Sequence, residues 1–446
     1  MHILRILTLS AILLQLSTGI ATAQNGVNSP YSRYGFGVEA DRAMGFNKGM
    51  DGVAQGFANG NWINTANPAS YAAVDSLTAL FDMGLSLQNG NYSMGGLQQN
   101  VRNSSLDYFA FQFRAKKHWG WTIALLPYTN INYSFKSSTS PIEGTESTTS
   151  YTFSGTGGLH QIMIGTGWQP VRNLSIGVNF AYLFGDYNHA TTMAVNETSS
   201  YSLRRAYTAD IATYSADFGL QYTLPLNKKD RLTLGITYGL GHDINNRAIR
   251  STQTLSSSGT TQSATNDTIH NAFQLPHTIS AGIAYRHTNR LAIGADFTYE
   301  KWGDCRFPAQ EANTYASMKG QLNDRIRVTT GLSFTPFTPS TTTPKYYQRI
   351  TYKLGAHYAQ PYAKADGAVT DKPTEFGISA GLTLPIQNRN LYRRFPNINI
   401  AFQWVHSSIP YISATMLQQQ KLTENYLRLS IGITFSELWF HKWKVQ

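Results

Sequence analysis

The chain has 446 residues, 41% hydrophobic and only 14% charged, with a formal net charge of +11. Soluble domains carry about 25% charged residues, so this composition points away from one. The mean hydropathy is −0.28, and beyond the N-terminus no apolar run reaches the ~20 residues of a membrane helix, which argues against a helical bundle in a bilayer.

The N-terminus reads as a secretory leader. Arg5 supplies the positive charge, 6–20 is largely apolar, and Ala21-Thr22-Ala23 is a small-x-small cleavage site before Gln24. Residues 1–23 are therefore expected to be removed, and with no cysteine at the cleavage site the product is not a lipoprotein. The one cysteine, Cys305, rules out an internal disulfide framework and any multi-cysteine metal site. In an exported chain with no nucleic-acid motif, the basic balance does not point to nucleic acid.

Residues 24–75 are rich in Gly, Asn and Ala and show no sustained alternation. Their apolar side chains, among them Phe36, Met44, Met50, Phe57 and Trp62, favour burial over a flexible tail. This segment is read as a plug.

From Leu77 the pattern has period two, the signature of a strand with one wet and one apolar face. Phe376, Ile378, Ala380, Leu382 and Leu384 alternate with Glu375, Gly377, Ser379, Gly381 and Thr383. Leu427, Leu429, Ile431, Ile433 and Phe435 alternate with Arg428, Ser430, Gly432 and Thr434. Strands are expected near 77–88, 106–115, 119–135, 159–168, 174–187, 207–224 and 232–243. Others fall near 275–286, 291–302, 324–334, 349–358, 374–384, 398–406 and 425–435. That is about fourteen, an even number as a closed single-chain barrel needs. The expected fold is all-β, a transmembrane antiparallel β-barrel over 76–436 with an N-terminal lumenal plug, followed by a basic periplasmic tail at 437–446.

Connections alternate between short (116–118, 169–173, 227–231, 287–289) and long and polar (89–105, 136–158, 188–206, 244–273, 303–323). Short periplasmic turns and long external loops are the barrel pattern. The short side is basic, with Lys116, Lys117, Lys228, Lys229, Arg393, Arg394, Lys442 and Lys444. Trp119, Trp121, Trp168, Trp302, Tyr358, Trp404, Trp439 and Phe440 lie at strand ends, where interfacial girdles are expected.

No enzyme constellation emerges: the histidines are scattered, and Gly155-Thr156-Gly157-Gly158 opens a strand, not the helix a phosphate loop requires. No cofactor or metal is implied. By strand phase, Asp82, Asp217, Arg286, Asp296, Glu300 and Arg349 face the lumen, as do Arg325, Arg327, Lys353 and Arg428. The last four are candidates to hold an anionic head group or a plug carboxylate. Pro127 sits inside the third strand; lacking an N–H, it marks a bulge, an edge or a break.

Several motifs resemble one family. Asn67-Pro68-Ala69 after a Gly/Ala-rich stretch is similar to the hatch of the FadL/TodX-type (OMPP1) outer-membrane transport proteins. Leu126-Pro127-Tyr128-Thr129-Asn130 resembles that family's interrupted third strand, and Leu275-Pro276-His277 with the following hairpin resembles another of its features. Tyr31-Ser32-Arg33-Tyr34-Gly35 and the ending from Glu424-Asn425-Tyr426 to Trp439-Phe440 resemble Bacteroidetes members. The resemblance implies a monomeric fourteen-stranded barrel in the Gram-negative outer membrane, among its lipids. It implies passive uptake of a hydrophobic or amphipathic, long-chain-fatty-acid-like ligand, released sideways into the membrane at Pro127, Tyr128, Thr129 and Asn130. The gate would be Asn67, Pro68 and Ala69 packed against that segment. The alternative is a barrel scaffold that partners a protein-secretion or surface-lipid-delivery complex. A lipid-modifying enzyme would need a Ser/His pair, and a general porin would have no plug.

Overall fold

The computed structural model describes residues 28–94, 97–136, 139–142, 144–197, 200–311, 314–337, 345–364, 372–386, 396–412 and 419–438. The expected leader at 1–23, Arg393, Arg394 and the tail residues Trp439, Phe440, Lys442 and Lys444 lie outside them.

The wall consists of β1 Thr78–Met94, β2 Leu97–Lys116, β3 Trp119–Pro127, β4 Thr129–Lys136, β5 Thr148–Val171, β6 Leu174–Val195, β7 Ser202–Pro225 and β8 Asp230–Gly239. It continues with β9 Thr278–His287, β10 Leu291–Glu300, β11 Arg325–Phe334, β12 Thr351–Gln360, β13 Thr374–Pro385, β14 Asn397–Ile412 and β15 Gln419–Leu438. The segments β3 and β4 share one place in the wall, so the barrel has fourteen strand positions. All ladders are antiparallel, and β1 closes on β15 from Thr78↔Leu438 to Ser93↔Thr423. Closure leaves the sheet without free outer edges.

Burial follows the sequence alternation. In β13, Phe376, Ile378 and Leu382 are exposed on the outer face while Gly377, Ser379, Gly381 and Thr383 are buried against the interior. An apolar exterior around a polar interior is what lipid outside and water inside select. No described helix is long and apolar enough to cross a membrane. Short turns place residues in the left-handed region, with φ of 59° at His118, 71° at Asn173 and 53° at Thr288.

The long connections expected from the sequence contain more strand than their composition suggests. Residues 89–105 are mostly strand, because β1 and β2 continue to Met94 and Leu97. The connection 244–273 holds a hairpin of Arg247–Leu255 and Thr261–His270, and 303–323 holds one of Phe307–Glu311 and Thr314–Met318. These polar extensions lack alternation because neither face meets lipid. Arg349 ends a short helix, Tyr346–Arg349, before β12 begins, so it is not a lumenal strand residue. Trp302 does not join a girdle: it is 1% exposed, stacked on Tyr362 inside the outer mouth.

The plug threads this lumen. At the long-loop end Phe36 meets Phe273, Trp302 and Phe307, with ring centroids 5.2, 6.1 and 5.2 Å away. This aromatic cluster fills the outer mouth, and Cys305 is buried within it. Deeper, Lys48 pairs with Asp107 of β2. The Asp51 carboxylate takes His357 Nδ1 of β12 at 2.6 Å and Gln403 Nε2 of β14 at 3.1 Å. Burial pushes the Asp51 carboxyl up, but the hydrogen bond and charge of His357, with Arg327 and Gln403, together hold it below its ordinary value.

Candidate functional site in a break of the barrel wall

Proline has no N–H to give a ladder, and the third wall position breaks at Pro127. The ladder between β2 and β3 runs from Phe109↔Leu125 to Lys116↔Trp119 and stops. Among the described residues, no ladder joins the remainder of β2, Leu97–Tyr108, to β4. On its other side β5 runs unbroken past both segments, pairing Pro127↔His160 with β3 and Ile131↔Gly157 with β4. The turn between them is fixed by Tyr128 N–H donating to the Leu159 carbonyl at 2.7 Å. Opposite the break, Gly157 and Gly158 adopt φ of +123° and +130°, and a Cβ at Gly158 would overlap the Thr129 carbonyl. The glycine-rich run set aside as a phosphate loop is thus the hinge that lets β4 depart from β2.

An exposed strand edge needs partners, and the plug supplies them. Val38–Glu39 forms a short strand paired as Val38↔Asn130 and Glu39↔Thr129. Ala40 N–H donates to the Tyr128 carbonyl at 3.0 Å, and Ser29 N–H to the Asn132 carbonyl at 3.0 Å. The segment 127–130 therefore lies at the break, but its plug partner is Val38–Ala40.

Asn67, Pro68 and Ala69 sit elsewhere. Asn67 caps a short 3-10 helix, Pro68–Ala73, through Ala69 N–H at 3.1 Å. Its Nδ2 donates to Gln55 O at 3.0 Å and Leu220 O at 3.3 Å. The motif presses on glycines of β5, β6 and β7: a Cβ at Gly167, Gly177 or Gly219 would overlap Pro68 or Asn67. Wall glycines give the plug backbone room to lie flat on the strands. The expected packing of Asn67-Pro68-Ala69 on Pro127–Asn130 is not made. The sequence carried too little signal for Val38–Glu39, a two-residue strand with no periodicity to detect.

Two cavities meet at the break. The outer one, about 390 Å³, is bordered by Leu106, Phe109, Leu125 and Pro127 of the wall and by Lys48 and Arg428 within. Leu106, Phe109 and Leu125 are also exposed outward, so this cavity reaches the lipid-facing surface. The inner one, about 120 Å³, has Tyr34, Val405 and Ile409 on its apolar side and Arg325, Arg327 and Arg428 on its polar side. Glu39, Ala40, Asp41 and Arg428 border both.

The four candidate head-group cations differ in their commitments. Arg325 pairs with Glu39 of the plug at 2.7 Å and Glu300 of β10 at 2.8 Å. Burial pushes the Glu39 carboxyl up, against the pull of Arg325. Lys353 is buried under the plug, its Nζ donating to the Phe46 carbonyl at 2.8 Å and lying 3.8 Å from the Phe46 ring centroid. It borders neither cavity. Arg327 donates to the Asp51 carbonyl at 3.2 Å, and Arg428 donates to Gln88 Oε1 at 2.9 Å. These two face cavity space with neutral partners. Ser407 Oγ donates to Glu375 at 2.9 Å and not to His357, so no nucleophile–base pair forms there.

The barrel is similar in fold to several solved outer-membrane proteins. A Pseudomonas aeruginosa FadL homologue matches with a TM-score of 0.60 at 11% identity, over 89% of this chain and 99% of that one. The P. putida toluene transporter TodX matches with a TM-score of 0.59 at 14% identity, over 91% and 100%. The Ralstonia pickettii toluene transporter TbuX matches with a TM-score of 0.57 at 13% identity, over 89% and 98%. No curated protein matches the chain. The fold is a closed antiparallel β-barrel of the FadL type. One family model, BamG, spans residues 3–446, nearly the whole sequence, and the chain belongs to the BamG family.

Proposed function

We propose that this barrel passes an amphipathic small molecule with an anionic head, of long-chain fatty-acid type, between its lumen and the outer membrane through the break at Pro127. The observation that carries this reading is the 390 Å³ cavity, whose lining joins outward-exposed Leu106 and Phe109 with Arg428. Apolar burial contributes ~25 cal/mol per Å² along the tail. A guanidinium without a competing carboxylate bond orients the head by paired hydrogen bonds. The outer mouth is filled by the Phe36 cluster, which favours the side route over an axial one.

Palmitate binding to the purified barrel in non-ionic detergent tests the proposal. Arg327→Gln and Arg428→Gln together weaken binding at least about tenfold, since a hydrogen bond to a charged group contributes ~1.5–3 kcal/mol and 1.4 kcal/mol is tenfold. Unchanged affinity in the folded double variant rejects the head-group role.

A second reading has a specific observation in its favour. The family name BamG hints at a subunit of a complex, and a plug tied to the wall through Lys48, Asp51 and Arg325 suits a fixed scaffold. In that role the barrel partners a protein-secretion or surface-lipid-delivery assembly. Mild-detergent purification from native membranes separates the two readings: stoichiometric protein partners support the scaffold, and a bound fatty acid without them supports transport.

A further inference from the structure

At the short-turn end of the lumen, far along the chain from the break, Arg231 of β8 and Arg286 of β9 stand directly opposite each other in the ladder. Both are on the lumenal phase, since Leu234 and Ile236 of β8 and Ile283 of β9 are exposed outward. Like charges facing across a ladder destabilise it, so the pair calls for a compensating anion. Among the described residues, neither arginine forms an ion pair.

The two arginines border a cavity of about 250 Å³ between the plug at Gly56–Ala58 and the wall. Its lining contains no Asp or Glu, but it does contain Gln169, Asn173, Ser175 and Thr223. The nearest carboxylate in sequence, Asp230, is already engaged by Tyr285 Oη at 2.7 Å and His287 Nδ1 at 2.6 Å. Arg286 Nη2 donates to the Ala58 carbonyl at 3.2 Å, which fixes the guanidinium and leaves its other N–H groups for a ligand. A water needs roughly 10–15 Å³ of such space, so the cavity has room for a tetrahedral oxyanion and its hydration.

We infer that this cavity is an oxyanion site that takes a phosphate group with two unesterified oxygens, held by the forks of Arg231 and Arg286. Arginine forks match phosphate oxygens in pairs, and the neutral amides and hydroxyls around them complete the shell. The phosphate comes either from a phospholipid head group at the short-turn rim or from a soluble phosphate.

Calorimetric titration in a non-ionic detergent, at ionic strength matched with chloride, tests the site with two probes: inorganic phosphate and short-chain phosphatidylglycerol below its micellar concentration. Wild type binds at least one of them. Arg231→Gln, Arg286→Gln and the double variant lose affinity at least tenfold, and Arg231→Lys retains part of it. Arg231 is exposed, so its substitution spares the fold, which heat-modifiable gel migration checks. Binding of the lipid alone assigns the source to the membrane; binding of inorganic phosphate without displacement by the lipid assigns it to solution. Equal binding in wild type and the folded double variant, or no binding of either probe, overturns the site. The head-group variants at Arg327 and Arg428 leave this titration unchanged, so the two proposals fail separately.

Discussion

Arg325 ties the plug to the wall through two carboxylates. It is the shared partner of Glu39 and Glu300, both buried. Removing one member of a buried ion pair costs ~3–5 kcal/mol, so Arg325→Gln lowers the thermal midpoint in detergent well below that of Arg428→Gln, whose partner is neutral. Equal midpoints would contradict this ranking. Cys305 is the opposite case: burial pushes its thiol up to about 12, and its Sγ lies 3.3 Å from the Lys301 carbonyl. At pH 8 the folded barrel is expected to resist alkylation by maleimide, and the heated barrel to react. Rapid labelling of the folded form would place the thiol outside the aromatic cluster. Asp51 gives a pH dependence. Its carboxyl sits below the ordinary value of 3.8, so its contribution is full above that pH and is lost as pH falls through the depressed value. The difference in midpoint between wild type and Asp51→Asn should be largest near pH 6 and shrink below pH 4. A difference that grows on acidification would be the wrong sign.

The elements divide by how much their sequence had to say. Strands that touch lipid were legible because one face is apolar and the other is not: β13 and β15 read residue by residue as they fold. The upper parts of β1 and β2 were read as loop because their outward face is polar, with Asn89, Asn91, Asn100 and Ser104 exposed, so apolar alternation carries no message there although Tyr92 and Asn103 are buried on the inner face. At the candidate site, Pro127 announced the break through its missing N–H. The plug's side of the contact was misplaced. Asn67-Pro68-Ala69 is the more conspicuous motif, yet its surroundings are set by wall glycines at 167, 177 and 219, which a linear reading cannot bring together. The pairing Val38↔Asn130 yields a direct test. Directly opposed residues on an antiparallel ladder lie within disulfide reach, so Val38→Cys with Asn130→Cys in a Cys305→Ser background forms a bridge on mild oxidation. Cysteines at Ala69 and Thr129 in the same background do not. The reverse pattern would mean that the hatch motif, and not Val38–Ala40, guards the break.

At the scale of the whole molecule, a closed hydrogen-bonded barrel is filled by its own N-terminal segment, and its wall ladder is interrupted at the third position. The plug joins the two ends: Phe36 fills the outer mouth, Val38–Ala40 lines the break, and Ala58 touches the arginine pair at the short-turn end. The central claim is that an amphipathic ligand occupies the break and its adjoining cavities. The measurement that tests it most directly is photo-cross-linking of the purified barrel with a diazirine-bearing palmitate, mapped by mass spectrometry. Adducts on Leu106, Phe109 and Leu125, with others on Tyr34 or Ile409, and their loss in Arg327→Gln/Arg428→Gln, are the predicted result. Adducts spread evenly over the outward faces of all strands, unchanged in that variant, would contradict it.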